Sequence, residues 1–411
     1  MSKTAFKPTA FEKRVKRRVS GRPHRFFAVC PPGLKTLCLK EIQELPGRLE
    51  QAGVLPGPAE ISKTEPQPGG IGFTTRLEIA CLANLFLGTP TRILMRVATF
   101  KAERFSVLER QTAGIDWELF LPEGLKDSKL TIQVTTRKSR LYHTDAVAER
   151  IRPQVLNRLK ETTGGSNCDT GHSPQTLMVR AENDRFALSL DMSGSPLYKR
   201  GIKTRVIQAP LRETLGFAIL KRLEFSRQDI LMDPMCGSGT FALEAAMMQA
   251  DAPPGIFRTF AFESWPSFKN NSFRHAKDKI TDQVVTPPEA AIFASDLDQS
   301  AVTHLKETKS GHPVFSSIQV ACENFFDITP PATSHGVVVL NPPYGKRLGN
   351  DMDINVFFRE IGRKLAGDFK GYRACVIYPE KHLADALGLH LTPMPLFHGG
   401  LDLFAGIGKI A

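Results

Sequence analysis

The fold predicted by the sequence is a doubly wound, mostly parallel α/β sheet in the second half of the chain, preceded by a smaller α/β or α+β unit. Three observations predict it. Apolar, β-branched runs alternate with helix-period segments between residues 229 and 379. A glycine loop, Asp233-Pro234-Met235-Cys236-Gly237-Ser238-Gly239-Thr240, follows the first of these strands and opens a helix. Val337-Val338-Val339-Leu340 then runs into Asn341-Pro342-Pro343-Tyr344-Gly345, placing an amide and an aromatic ring where open α/β sheets bind ligands, at the carboxyl end of a strand.

Length and composition set the frame. The 411 residues suffice for two domains, and 41% hydrophobic with 23% charged residues describes an ordinary globular chain. No apolar run approaches the roughly 20 residues of a membrane span; the best, 79–88, is too short and is followed by Thr89-Pro90. A formal charge of +12 and a pI near 9.4 favour a polyanionic partner. The seven cysteines (30, 38, 81, 168, 236, 322 and 375) include no CxxC pair. That argues against structural zinc and against a disulfide framework, and predicts a reducing cytoplasm. The amino terminus lacks the apolar core of a secretory signal, although its few acids leave a transit peptide open. Its Lys13-Arg14-Val15-Lys16-Arg17-Arg18, with Arg22 and Arg25 beyond, predicts a disordered basic arm over 1–24 that contacts RNA.

Along the chain, Arg25-Phe26-Phe27-Ala28-Val29-Cys30 reads as the first strand, and Pro31-Pro32-Gly33 turns into a helix over 34–45. Residues 46–70, rich in Pro and Gly, read as loop with room for one strand. Gly70–Phe73 is a strand, 77–88 a helix and 92–97 a strand. A strand over 130–134 leads into Thr135-Thr136-Arg137-Lys138-Ser139-Arg140-Leu141-Tyr142-His143-Thr144, then a helix over 145–159. Basic residues between a strand end and a helix start suit an anion, making Arg137, Lys138, Arg140 and His143 candidate RNA contacts; a solvated charged loop fits the spacing equally well. Residues 163–174 are loop and 186–190 a strand, and the halves meet near 195–205.

In the second half the strands fall at 229–233, 291–296, 317–321, 336–340 and 373–379, with helices at 211–223, 239–250, 298–309 and 354–367. Residues 251–290 form an insertion. Leu401–Ile410 imitates a glycine loop but has no helix to follow. It reads as a final edge strand paired with one near 390–397.

The glycine loop can also be written GxGxxA, which admits a dinucleotide. That reading requires a ribose-binding acid about 20 residues on, whereas the next strand-end acids are Asp296 and Asp298. Asp233 would also sit among phosphates. S-adenosylmethionine carries no phosphate, and its amino group and ribose hydroxyls favour carboxylates, so Asp233 toward the methionine end and Asp296 on the ribose make better chemistry. Pro234, Cys236, Gly237, Gly239 and Thr240 complete the candidate cofactor loop. With a sulphonium donor, Asn341 gains a role beyond closing a Pro-rich turn. Its side-chain carbonyl and the backbone carbonyl of Pro342 can accept both hydrogens of an exocyclic amine, and Tyr344 offers a stacking face for the base, with Pro343 fixing the turn.

DPMCGSGT, ASDLD, CENFFD and NPPYGKRL, with YKRG…APLRET before the glycine loop and FAFESWPSF in the insertion, resemble the THUMP-domain class I RNA methyltransferases, close to the bacterial 23S ribosomal RNA guanine-N2 methyltransferases. FAVCPPGLKTLCLKEI and SRLYHTDAVAERI are similar to that family's ferredoxin-like and THUMP portions. The resemblance implies an RNA-binding region over 25–195 and a Rossmann-like methyltransferase domain over 196–411. It also implies ribose contacts from Asp296 and adenine contacts from Asn324, where relatives often carry Asp, with Asp327 a second candidate. Gly345-Lys346-Arg347-Leu348 matches the guanine-modifying relatives, and Lys346 and Arg347 are candidate RNA contacts. Transfer RNA as substrate, N6-adenine or protein-glutamine methylation, and a noncatalytic RNA-binding assembly factor remain the alternatives.

Overall fold

The computed structural model describes residues 9–55, 57–163, 173–203, 211–285, 291–333, 336–343 and 353–411. The first half builds one seven-stranded sheet. In chain order it runs α1 (Ala10–Val15), β1 (His24–Val29), α2 (Lys35–Ala52), β2 (Ile61–Gln67), β3 (Gly70–Thr75), α3 (Leu77–Phe86) and β4 (Arg92–Lys101). There follow α4 (Phe105–Ala113), β5 (Leu130–Arg137), α5 (Thr144–Thr163), β6 (Gln175–Glu182) and β7 (Arg185–Asp191). The strand order is β2-β3-β1-β4-β7-β6-β5, antiparallel except where β5 and β6 lie parallel across the α5 crossover. Alternation fixes the faces: Leu177, Val179 and Ala181 of β6 are buried while Arg180 between them is exposed.

Three local expectations change. The amino-terminal arm is not disordered over 9–20. Thr9 and Glu12 form a reciprocal capping box on α1, a π-helical turn continues over Lys16–Ser20, and Val15 and Val19 are buried. Arg14 and Arg18 pair with Glu118 and Asp116, and Arg158 joins the same two acids at 3.1 and 3.2 Å. Helix α2 does not stop at 45 but runs through Pro46 to Ala52. The buried stripe Cys38, Ile42, Leu45 and Leu49 continues past the proline, and Gly53 in the left-handed region (φ 59°) ends the helix. Strand β6 and helix α4 lie where the sequence suggested no element.

The second half builds the predicted doubly wound sheet. Its elements are α6 (Glu213–Arg222), β8 (Ile230–Asp233), α7 (Thr240–Gln249), α8 (Asn270–Gln283), β9 (Ile292–Asp296), α9 (Gln299–Ser310) and β10 (Ile318–Cys322). Then come β11 (Gly336–Leu340), α10 (Ile354–Asp368), β12 (Arg373–Tyr378), α11 (Leu383–Leu387), β13 (Thr392–His398) and β14 (Leu401–Lys409). The order β10-β9-β8-β11-β12-β14-β13 is parallel through β12, and β14 returns antiparallel. The edge is β13; the final strand β14 is inserted between it and β12, so the last strand pairs on both sides. Strand order reverses between β8 and β11, which makes their carboxyl ends the switch point of the sheet. All five residues of β11 are buried, as a central strand covered on both faces requires.

A buried guanidinium ties the two sheets together. Arg200 donates to both carboxylate oxygens of Glu244 on α7, at 2.9 and 3.2 Å, and to the carbonyls of Gly88 (2.9 Å) and Leu197 (3.0 Å). Arg258 gathers the carbonyls of Ser193, Ser195, Pro196 and Lys199 in the same region. Both ions of the Arg200–Glu244 pair are only 2% exposed at their side chains. Removing one partner strands the other in a dry site, which costs about 3–5 kcal/mol. Glu244→Ala should therefore lower the unfolding free energy from denaturant curves by that order, while a value equal to the native protein's would show that the pair contributes little.

Candidate active site

A cleft of about 760 Å³ opens at the switch point, between the carboxyl ends of β8, β9, β10 and β11. The glycine loop forms one wall. Gly237 and Gly239 both hold positive φ, 50° and 73°, which residues with a Cβ rarely adopt. At Gly239 a Cβ would also collide with the Leu305 side chain. Gly239 is the residue before α7, so the loop presents the free amides of a helix start to the cleft. Thr240 donates its hydroxyl to the Leu211 carbonyl at 3.0 Å, and Lys203 donates to the hydroxyls of Ser238 and Thr240 at 3.1 and 2.8 Å. These bonds hold the loop from behind.

Asp296 ends β9 and lines the cleft. One oxygen accepts the Gly237 amide at 2.7 Å and the other the Asp298 amide at 3.0 Å, so one carboxylate joins the glycine loop to the start of α9. Asp298 in turn caps α9 through Ser300, and those bonds hold its carboxyl below the ordinary range. Asn324, at the end of β10, accepts the Phe326 amide at 3.2 Å, leaving its amide nitrogen as the donor for a ligand. Asn341 and Pro343 line the opposite wall, beyond β11. The Asn341 side-chain oxygen is buried and, among the described residues, meets no hydrogen-bond donor.

The predicted residues do not all reach this cleft. Asp233 lies fully buried beneath the loop instead of lining the cavity, and among the described residues the Ala242 amide is the donor nearest to satisfying it, short of a well-formed hydrogen bond. Burial pushes its pKa up to about 8; the Asp296 charge adds to this, against the pull of the Ala242 amide and Lys203. Cys236 lines the cleft, but burial drives its thiol well above the usual range, so it is an inert wall. Pro234 lines the cleft, Pro342 is buried behind it, and Asp327 is exposed and outside it. Tyr344, Lys346 and Arg347 lie outside the described residues. Arg137, Lys138, Arg140 and His143 are carried by the first sheet, at and after the end of β5. There Arg140 pairs with Glu103 and its amide donates to Asp184 at 2.6 Å.

Apolar lining was missed at Leu211, Met235, Leu297, Phe326 and Phe357. Leu297 carried a visible signal. It is a leucine between two acids, Asp296 and Asp298, and at 70% exposed it has no core to fill. Phe357 had none, because a phenylalanine on an amphipathic helix reads as core.

The Asp233 carboxyl makes a pH prediction. Its folded pKa, about 8, lies above its ordinary value of 3.8, so the folded chain holds a proton that the unfolded chain has released between those limits. Its contribution to stability is thus full below pH 3.8 and is lost as pH rises through 8. Asp233→Asn should remove this slope, at most about 1.4 kcal/mol per pH unit, from unfolding curves recorded between pH 5 and 8. An unchanged slope would mean that Asp233 is already ionised in the fold.

Comparison with known proteins agrees with this geometry. Residues 200–393 match the family model UPF0020, an RMKL-like methyltransferase domain. The chain is 29% identical over 380 residues to slr0064 of Synechocystis, provisionally named an RNA methyltransferase, covering 92% of this chain and 94% of that one. It is 28% identical over 398 residues to the ribosomal RNA large subunit methyltransferase K/L of Syntrophotalea carbinolica, and spans 53% of that longer protein. Its fold superposes on the crystal structure of SMU.472, provisionally described as a methyltransferase and solved with SAH, with a TM-score of 0.80 at 22% identity. That match covers 95% of this chain and 99% of the other. The cleft fits S-adenosylmethionine in its own right: its volume lies in the range of small-ligand sites, and an acid waits at the end of β9 beside the glycine loop. Residues 200–393 thus match the model of the RMKL-like methyltransferase domain UPF0020, and the chain has the class I fold of an S-adenosylmethionine-dependent methyltransferase.

Proposed function

We propose that the chain methylates the exocyclic N2 amine of a guanosine in RNA, with 23S ribosomal RNA as its substrate, in the cytoplasm. The observation that carries this reading is the Asn341 side-chain oxygen, a buried acceptor with no donor among the described residues, on the wall of the cofactor cleft at the end of a central strand. A buried carbonyl left unpaired costs about 1–3 kcal/mol, and an amine hydrogen is what satisfies it. When bound, S-adenosylmethionine supplies an electrophilic methyl group on a sulphonium. The chain's own residues do the rest. Asp296 and Asn324 hold the ribose and adenine ends, and the loop from Pro234 to Thr240 gives the methionine end close backbone contact.

Asn341, with the Pro342 carbonyl, orients the amine so that its lone pair points at the methyl group. Pro343 stiffens the turn and Tyr344 stacks on the base, while Lys346 and Arg347 steady the RNA. The amine proton leaves to solvent, so orientation supplies most of the rate. The first half, over 25–195, serves as the ferredoxin-like and THUMP RNA-binding region. RNA is supported by the chain's basic balance and by the names of its relatives; guanine is supported by Gly345-Lys346-Arg347-Leu348. An adenine N6 amine would fit the same acceptor, and the base identity is what the experiment below separates.

Incubation with labelled S-adenosylmethionine and unmodified ribosomal or transfer RNA, followed by nucleoside mass spectrometry, should yield N2-methylguanosine. N6-methyladenosine would overturn the choice of base, and label appearing only in protein glutamine would overturn RNA as substrate. Asn341→Ala should lower methyl transfer by roughly 100-fold or more, as loss of a preorganised polar contact does, while cofactor affinity measured by calorimetry stays near the native value. Native turnover in that variant would remove Asn341 from the catalytic site.

A further inference from the structure

Away from the cofactor cleft, the first sheet concentrates positive charge on its outward face. Phe26 of β1 faces Met95 of β4, so Arg25 and Arg96, one step along, stand opposite each other on the other side of the sheet. Arg96 is opposite Ser189 of β7, and Ser189 is opposite Met178 of β6, which puts Arg180 on the same face two residues along β6. The ladder between β4 and β7 shifts register between Arg96 and Ala98, leaving Val97 as an extra residue. A recess of about 290 Å³ lies here, lined by Arg22, His24, Arg25, Arg96 and Thr99 among others.

The charges in this place are not balanced. Among the described residues, Arg22, Arg25 and Arg96 form no ion pair with a carboxylate, and the one side-chain bond of Arg96 is to a neutral hydroxyl, Ser189, at 2.9 Å. Glu182 is shared by Arg180 at 3.0 Å and Arg137 at 3.7 Å, so one acid faces two guanidinium groups. Burial pulls the Arg96 pKa down, and the nearby Arg25 and Arg180 charges pull it further. Partly buried cations that repel one another weaken a fold, and an anion laid across them reverses the sign of that interaction.

We propose that this outward face, from Arg22 and Arg25 across Arg96 to Arg180, is a docking surface for the sugar-phosphate backbone of RNA. The proposal rests on the RNA reading of the catalytic site. From β1 through β4 and β7 to β6 and β5 there are four inter-strand gaps, about 19 Å at the usual spacing, enough for a run of several phosphates. At the far side, past the end of β5, Tyr142 is 62% exposed and lies against His143 with ring centroids 4.1 Å apart and the planes tilted by 37°. An exposed aromatic pair beside a row of arginines suits unpaired bases on a charged backbone. Arg14 and Arg18 of the amino-terminal helix face away from this role, being held by Glu118 and Asp116.

The test compares native chain with Arg25→Gln, Arg180→Gln and, as a control of equal charge, Arg222→Gln on the exposed side of α6. Affinity for an unmodified 23S ribosomal RNA transcript is measured across a salt series, and calorimetry with S-adenosylmethionine checks each variant's fold. Arg25→Gln and Arg180→Gln should each weaken binding about ten-fold and reduce the salt slope by about 0.7–0.9, with Arg222→Gln matching native. Native RNA binding with unchanged affinity and slope in the first two variants overturns the surface and leaves the RNA reading standing. No RNA binding by the native chain overturns both. Polyglutamate competing as well as RNA does overturns the surface in favour of an acidic protein partner.

Discussion

One buried guanidinium decides how the two halves of this chain are held. Arg200 takes its carboxylate from α7, the helix that begins at the glycine loop, and a carbonyl from Gly88 in the turn between α3 and β4. The first contact is with the cofactor-binding unit and the second with the unit that carries the arginine surface. Glu41 closes the same turn from its other side, accepting the Gly88 and Thr89 amides at 2.9 and 3.0 Å. A charge this deep is costly to bury, and hydrophobic packing of equal volume would serve stability as well. What the ion pair adds is geometry. A planar fork with four fixed acceptors allows few relative placements of α7 and the first sheet.

That geometry matters because the cleft leaves polar atoms buried and unpaired. Among the described residues Asn341 presents an unsatisfied carbonyl, and Asp233 lies beneath the glycine loop with no well-formed hydrogen bond. Either would destabilise an ordinary core. Their costs are borne by packing around them: β11 is buried along its whole length, and Asp296 pins the loop to the start of α9 through two amides. A site so held needs little rearrangement when a ligand arrives, which is how orientation becomes rate.

Much of this was legible in the residues. Strands β8, β9, β10, β11 and β12 fall within a residue of their expected bounds because each is a short apolar run set off by turn residues, and the parallel order follows from the helices between them. Asp296, Asn324 and Asn341 line the expected cleft because strand ends are where the topology puts ligands. Less legible was anything that depends on a distant partner. The basic arm reads as disordered until Asp116 and Glu118, a hundred residues on, turn it into a helix. Pro46 reads as a stop until the buried stripe on both sides of it is seen to pack. Asp233 reads as a cofactor ligand, since the sequence places it at a strand end but not at a depth. The final strand reads as an edge because nothing local says that β13 lies outside it.

The same distinction governs the charge. A net +12 says only that some polyanion is favoured, and it assigns equal weight to every arginine. The fold divides them. Arg14, Arg18 and Arg158 are consumed by one acidic pair, Arg200 by Glu244, and Arg92 by Asp191. Among the described residues Arg25 and Arg96 remain without a carboxylate, and the strand register sets their backbones opposite each other. By this reasoning the site for a nucleic acid is found less by counting arginines than by finding those the fold has declined to neutralise.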